Sequence, residues 1–250
     1  MIDVSKQIYE YLEEINPGII EQFPYNIDKF NNMVLDVGCG VGGLGESIKS
    51  KGYCVWGIES NNAAANTAKL RLDRVIVDDL HNISSIIPKI NNILFDHLIF
   101  SDVLEHLYDP FSTLCEYSNF LKSSGHIYIS VPNVVVWDNR LKFLFGHFDY
   151  QPTGVMDRTH IRFFTYKSAR ELVKAAGYKI TRIDYTPMMI RAFLPMIKKY
   201  YHHSNNKKSI IDSQGYRFYQ KYIYPIEYVL GFLLKELFAF RIIIVAEKIR

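Results

Sequence analysis

Cysteine is scarce in this chain: Cys39, Cys54 and Cys115 are the only three in 250 residues, an odd number with no C-x-x-C pair. That excludes a disulfide scaffold and a zinc ribbon, and reduced thiols in a cytoplasmic protein are expected. Charge of one sign is also lacking. A net charge of +3 is too small to imply a nucleic-acid partner. No apolar run reaches the roughly 18 residues that a membrane-spanning helix needs. The closest approach, 222–245, is broken by Glu227, Lys235, Glu236 and Arg241. The opening Met1-Ile2-Asp3-Val4-Ser5-Lys6 lacks the basic and apolar regions of a secretion signal. No internal repeat is present. What remains is the composition of a globular domain, 48% apolar and 22% charged, with Tyr and Phe crowding the second half.

The pattern along the chain is one of short apolar strands alternating with helices. Residues 5–22 carry the spacing of an amphipathic helix, with Ile8, Leu12 and Ile15 on one side. Strands are predicted at 33–37, 53–58, 74–77, 95–100 and 127–131, with helices at 42–51, 61–70 and about 111–121 between them. Beyond Pro132 come a short helix over 134–145, a polar and aromatic loop over 146–165, a helix over 166–176 ended by Gly177, a strand over 178–185 and a last strand over 238–247. This alternation predicts a Rossmann-like α/β fold, a mostly parallel seven-stranded sheet with helices on both faces. The single domain divides into an N-terminal helical segment (1–30), a cofactor-binding core (31–133), an acceptor-side region (134–186), a helical insertion (187–235) and the final strand (236–250).

Ligands in such sheets bind at the carboxyl ends of the strands. There the chain places Asp36, Glu59, Asp79 and Ser101-Asp102. The first strand runs into Gly38-Cys39-Gly40-Val41-Gly42-Gly43, a turn whose glycines let a ligand approach the backbone closely. The same glycines satisfy the dinucleotide pattern G-x-G-x-x-G, which keeps a nicotinamide-dependent oxidoreductase open as an alternative. Asp36 opposes it, because a carboxylate two residues before the first glycine repels a pyrophosphate and attracts an ammonium. Glu59 is placed to accept from both hydroxyls of a ribose, and Asp79 from the amino group of a base. S-adenosylmethionine, cationic and free of phosphate, satisfies all three.

Val34-Leu35-Asp36-Val37-Gly38-Cys39-Gly40, Glu59, Asp79 and Phe95-Asp96-His97-Leu98-Ile99-Phe100-Ser101-Asp102-Val103-Leu104-Glu105-His106-Leu107 together resemble the class I S-adenosylmethionine-dependent methyltransferases. The resemblance covers about 30–185 and the last strand. It implies that Asp36 and the turn residues Gly38, Cys39, Gly40 and Gly42 hold the methionine portion. Glu59 with Ser60 is implied to hold the ribose, Asp79 with Leu80 the adenine, and Ser101 with Val103 the sulfonium side. Asp78 departs from the pattern, which usually has glycine there.

A methyl acceptor must be aligned, shielded from water and, if a hydroxyl, deprotonated. The densest chemistry on that side is Asp157-Arg158-Thr159-His160-Ile161-Arg162-Phe163. His160 is the candidate base or positioning group, with Arg158 and Arg162 as clamps for an anionic group. With Phe148-Asp149-Tyr150 and Gly154 ahead of it, this loop resembles a bacterial subgroup associated with surface-polysaccharide or secondary-metabolite synthesis. The expected reaction is O-methylation of a sugar or phosphorylated glycan precursor, the alternatives being N-methylation, methylation of a phosphoryl-linked metabolite, or cofactor binding without turnover. No metal is expected, because His202-His203 lacks partner spacing. The 187–235 insertion reads as a lid, with a homodimer interface or peripheral membrane contact as alternatives.

Overall fold

The computed structural model describes residues 16–26, 32–187, 221–222, 225–226, 229 and 233–249. Seven strands form one sheet: β1 (Met33–Val37), β2 (Cys54–Glu59), β3 (Arg74–Val77), β4 (Phe95–Ser101), β5 (Leu121–Pro132), β6 (Tyr178–Pro187) and β7 (Ala239–Lys248). Their spatial order is β3-β2-β1-β4-β5-β7-β6. The first five run parallel, while β7 pairs antiparallel with both β5 and β6. The order reverses between β1 and β4, and a crevice opens at the carboxyl ends of strands flanking such a reversal.

Alternation along the strands builds two cores. Leu35, Val37, Ile58, Leu98, Phe100, Ile127, Ile129 and Ile244 face one side. That side is covered by α4 (Ile83–Ile90), α5 (Pro110–Tyr117) and α7 (Tyr166–Ala175) through Ile86, Ile90, Leu114, Tyr117, Ala169 and Val173. The intervening residues Val34, Val55, Ile99, Tyr128, Ile243 and Val245 face the other side. There they meet Ile19 of α1 (Pro17–Ile20), Phe23, Ile48 of α2 (Gly43–Lys49), and Ala68 of α3 (Asn62–Ala68) with Leu72 just beyond it. The period of two is what divides one strand between two layers.

Most boundaries fall within a residue or two of the sequence expectation. α4 has no counterpart in the sequence expectation, and Pro88 sits inside it. It forms despite Pro88, which removes one N–H six residues into the helix, because the apolar face of Ile83, Ile86 and Ile90 has a sheet to bury against. β5 is longer than expected, since Leu121 already pairs with Phe95 ahead of Gly125. α6 (Trp137–Leu144) and the loop to Thr165 match expectation, as does the turn at Gly177, which holds φ +85 after α7. The helix expected over 5–22 is described only at α1. The helical insertion expected at 187–235 lies largely outside the described residues; at its end stands α8 (Lys235–Phe238).

Candidate active site

The glycine turn joins β1 to α2 and is held from the neighbouring strand. The N–H groups of Gly38 and Cys39 donate to the Ile58 carbonyl at 2.9 and 3.0 Å. Gly38 has φ +75, and a Cβ there would stand 2.8 Å from Cγ2 of Val103. A side chain at this position is therefore excluded both by the backbone and by β4's end. Gly40 and Gly42 also hold positive φ, 55 and 84. Cys39 is buried, and its Sγ occupies the space left by Gly57, where a Cβ would come within 2.5 Å of it. Burial and the nearby Asp36 and Glu59 push its thiol far above the ordinary range, so it fills space under the turn and is no nucleophile.

Asp36 lies deeper than its place in the motif suggests. It is 2% exposed, and among the described residues its Oδ2 has no hydrogen-bond partner. Burial, and secondarily the charge of Glu59, raise its pKa to about 7. A buried carboxylate oxygen with no partner among the described residues is what a ligand's ammonium would satisfy at this strand end. Glu59 is occupied differently from expectation: Oε2 accepts from Gly40 N–H at 2.9 Å and Oε1 from Asn61 N–H at 2.7 Å. It braces the glycine turn against the N-terminus of α3. Ser60 beside it is exposed.

Two carboxylates follow β3, and the structure separates them. Asp78 is held by Lys89 Nζ at 2.6 Å and by the Ser85 hydroxyl, contacts that pull its pKa down. Asp79 accepts from the His81 N–H and faces its Nδ1, while its side chain stays two-thirds exposed. Leu80 packs on the core, and its carbonyl accepts from Tyr117 OH at 3.0 Å. At the end of β4 the Ser101 hydroxyl lies 3.3 Å from that of Ser130, to which Asn16 also donates at 3.0 Å. Asp102 follows with φ +55 and pairs with Arg241 of β7 at 3.0 Å. Val103 is buried against the glycine turn. The cofactor residues read from the sequence thus gather along one sheet edge, over β1, β2, β3 and β4.

The acceptor-side residues divide. His160 is buried at 7% exposure, with Nδ1 3.0 Å from the Val155 carbonyl and Nε2 4.0 Å from Oε1 of Glu105. Its ring packs edge-on to His106, centroids 4.8 Å apart, and to Phe163 at 6.4 Å. Burial lowers its pKa from 6.5. Arg162 does not join it: the guanidinium bonds the Tyr108 carbonyl and lines a separate groove of about 430 Å³ with Pro110, Phe164 and Leu172. Arg158 is exposed, and Asp157 turns instead to the N–H and hydroxyl of Thr159 at 2.8 and 2.7 Å. The paired guanidinium clamp expected from the sequence is therefore not assembled beside His160. Phe143, Phe148, Tyr150 and Phe163 form an aromatic wall instead, with Phe143 and Phe148 stacked at 5.2 Å.

Glu105 was passed over in the sequence as part of a strand-end motif. It sits in the 3-10 turn Leu104–His106, 1% exposed. Its backbone carbonyl accepts from the N–H groups of Ile161 and Arg162, both at 3.0 Å. Those two bonds fasten the His160 loop to the end of β4, across more than fifty residues of sequence. Adjacency of Glu105 to His106 was the one available signal; the approach of His160 was not visible.

A family model described as a methyltransferase domain matches residues 8–183. The chain is 31% identical over 127 residues to a ubiquinone biosynthesis O-methyltransferase of Aromatoleum aromaticum, a match covering 50% of this chain and 54% of that one. It is 26% identical over 167 residues to the protein of that name from Acinetobacter baylyi, covering 62% and 68%. The chain thus spans about half the length of the first of these curated relatives and about two-thirds of the second. Among solved structures, an S-adenosylmethionine-dependent methyltransferase from Archaeoglobus fulgidus superposes with TM-score 0.56 at 20% identity, covering 87% of this chain and 86% of that one. Phosphoethanolamine N-methyltransferase 2 of Haemonchus contortus, solved with S-adenosylmethionine, does so with TM-score 0.55 at 15% identity, covering 94% and 52%. The nicotinamide alternative falls with the family match and the buried carboxylate before the glycine turn: the chain belongs to the methyltransferase domain family and is a class I S-adenosylmethionine-dependent methyltransferase.

Proposed function

We propose that this enzyme methylates a hydroxyl oxygen of a small, ring-bearing acceptor. The observation that carries the reading is His160, a buried imidazole whose Nδ1 faces a carbonyl. A carbonyl only accepts, so Nδ1 carries the hydrogen and Nε2 keeps its lone pair. With its pKa lowered by burial, the ring is neutral at pH 7 and able to take a proton from an acceptor hydroxyl. The aromatic wall from Phe143 to Phe163 fits the flat or apolar face of a ring. The O-methyltransferase names of the sequence relatives support oxygen as the methylated atom.

In this reading Asp36 meets the ammonium of S-adenosylmethionine, Gly38, Cys39, Gly40 and Gly42 shape the turn beneath it, Glu59 and Ser60 adjoin the ribose, Asp79 and Leu80 the adenine, and Ser101 and Val103 the sulfonium side. When bound, the cofactor supplies a methyl group activated by its sulfonium. The chain's own groups align the acceptor, exclude water and remove the proton.

The acceptor class is tested with purified enzyme and a panel of phenols, sugars, sugar phosphates and amines, scored by mass spectrometry for transfer of the methyl group. Transfer to a ring hydroxyl is the expected result. Transfer to amines alone refutes it. Preference for sugar phosphates over the parent sugars would favour the glycan-precursor reading, and would require Arg158 to reach the acceptor from its exposed position.

A further inference from the structure

We propose that Glu105, His106 and His160 form a binding site for a divalent first-row transition-metal ion. Their ligand atoms lie within 4.8 Å of one another. Three independent features of the cluster point to a cation.

First, Glu105 is buried with both carboxylate oxygens lacking any hydrogen-bond partner among the described residues. An ionised carboxylate offers about four acceptor sites, and leaving them unmet in the interior is strongly unfavourable. The backbone of Glu105, however, is held in place. The two loop N–H groups bound to the Glu105 carbonyl fix its backbone directly against residues 161–162.

Second, both imidazoles are set by backbone carbonyls. His160 Nδ1 faces Val155 O at 3.0 Å, and His106 Nδ1 faces Thr159 O at 3.2 Å. Each Nδ1 therefore donates, and each Nε2 is left with a lone pair. A carbonyl holding the far nitrogen is the usual outer support of a metal-ligating histidine.

Third, no proton bridges the groups. His160 Nε2 and Glu105 Oε1 stand 4.0 Å apart, beyond hydrogen-bond range. Two atoms bound to one ion at about 2.1 Å lie roughly 3.0–3.5 Å apart. The cluster needs to close by an ångström or so, within reach of side-chain rotation at Glu105 and at the exposed His106. That exposed edge is also the route by which an ion enters.

The donor set names the ion's class. Two imidazoles and one carboxylate favour zinc, iron, cobalt, nickel or manganese over magnesium and calcium, which take oxygen ligands. Three protein ligands leave at least one position open. An ion on His160 Nε2 takes up the lone pair that the O-methylation reading gives to the acceptor's proton, so the ion-bound and proton-accepting states of His160 exclude each other; the site itself does not rest on that reading.

The test uses the full chain without any acceptor. Purified protein is stripped with chelator and titrated with zinc by calorimetry, then with cobalt while the visible absorption is recorded. The wild type, Glu105→Gln, His106→Gln and a His202→Gln/His203→Gln control are compared. One zinc per chain is expected for the wild type and for the control, with ligand-field absorption from cobalt. Affinity is expected to fall at least tenfold in His106→Gln and in Glu105→Gln, both keeping the thermal shift produced by S-adenosylmethionine as proof of folding. Equal zinc affinity in wild type and His106→Gln overturns the proposal, and so does loss of binding in the His202/His203 control alone. Because binding is read without turnover, failure of the acceptor assay leaves this result unaffected.

Discussion

Replacing Asp36 by Asn isolates the electrostatics of the cofactor cradle. The carboxyl has a pKa of about 7 in the fold against 3.8 as an ordinary Asp, so the folded protein binds this proton more tightly than the unfolded chain. Stability from this group is fully present below the unfolded pKa and is lost as pH rises through 7. At about 1.36 kcal/mol per unit, the ionised carboxylate costs the cofactor-free fold roughly 4 kcal/mol at pH 8 and under about 2 kcal/mol at pH 5. The change across that window is about 2.5 kcal/mol, or on the order of 5–10 °C in Tm for a domain this size. Asn keeps the shape and has no charge, so its own cost does not vary with pH. His97, whose burial lowers its pKa to about 4, acts in the opposite sense below pH 6.5 and is common to both proteins. The quantity to measure is therefore the Tm difference, Asp36→Asn minus wild type, by scanning fluorimetry from pH 5 to pH 8. Without cofactor it should grow in favour of the variant as pH rises. With saturating S-adenosylmethionine the slope should flatten, because an ammonium beside Asp36 stabilises the charged form. A pH-independent difference without cofactor would refute the reasoning.

Three further outcomes follow from the geometry. His160→Ala should lower turnover by at least about a hundredfold while cofactor affinity, measured by calorimetry, stays within a few-fold. Gly38→Ala should abolish S-adenosylmethionine binding, since a methyl group would stand 2.8 Å from Val103 in a backbone at φ +75; binding within threefold of wild type would contradict this. Gly57→Ala should destabilise the fold by about 1–3 kcal/mol in urea unfolding, and Cys39→Ala should recover part of the loss, because the added Cβ stands 2.5 Å from Cys39 Sγ.

The division of evidence follows from the range of the forces. Strand alternation, the glycine turn and the carboxylates closing β1, β2, β3 and β4 are written in contiguous residues, so the α/β sheet and the cofactor class were legible from the sequence by itself. Glu59 shows the limit: its position was readable, but its grip on the N–H groups of Gly40 and Asn61 depends on how β2 lies beside the turn. α4 formed against its Pro88 because the sheet offered an apolar face. The acceptor side depended on tertiary structure throughout. Arg162 lies two residues from His160 in sequence, yet the loop turns it to Tyr108 and away from the imidazole. Glu105 and His160 are 55 positions apart and come together only through the bonds from Ile161 and Arg162 to the Glu105 carbonyl. Local residue order determined the sheet and its cofactor; the burial that left the Glu105 carboxylate without a hydrogen bond among the described residues was decided by long-range packing alone.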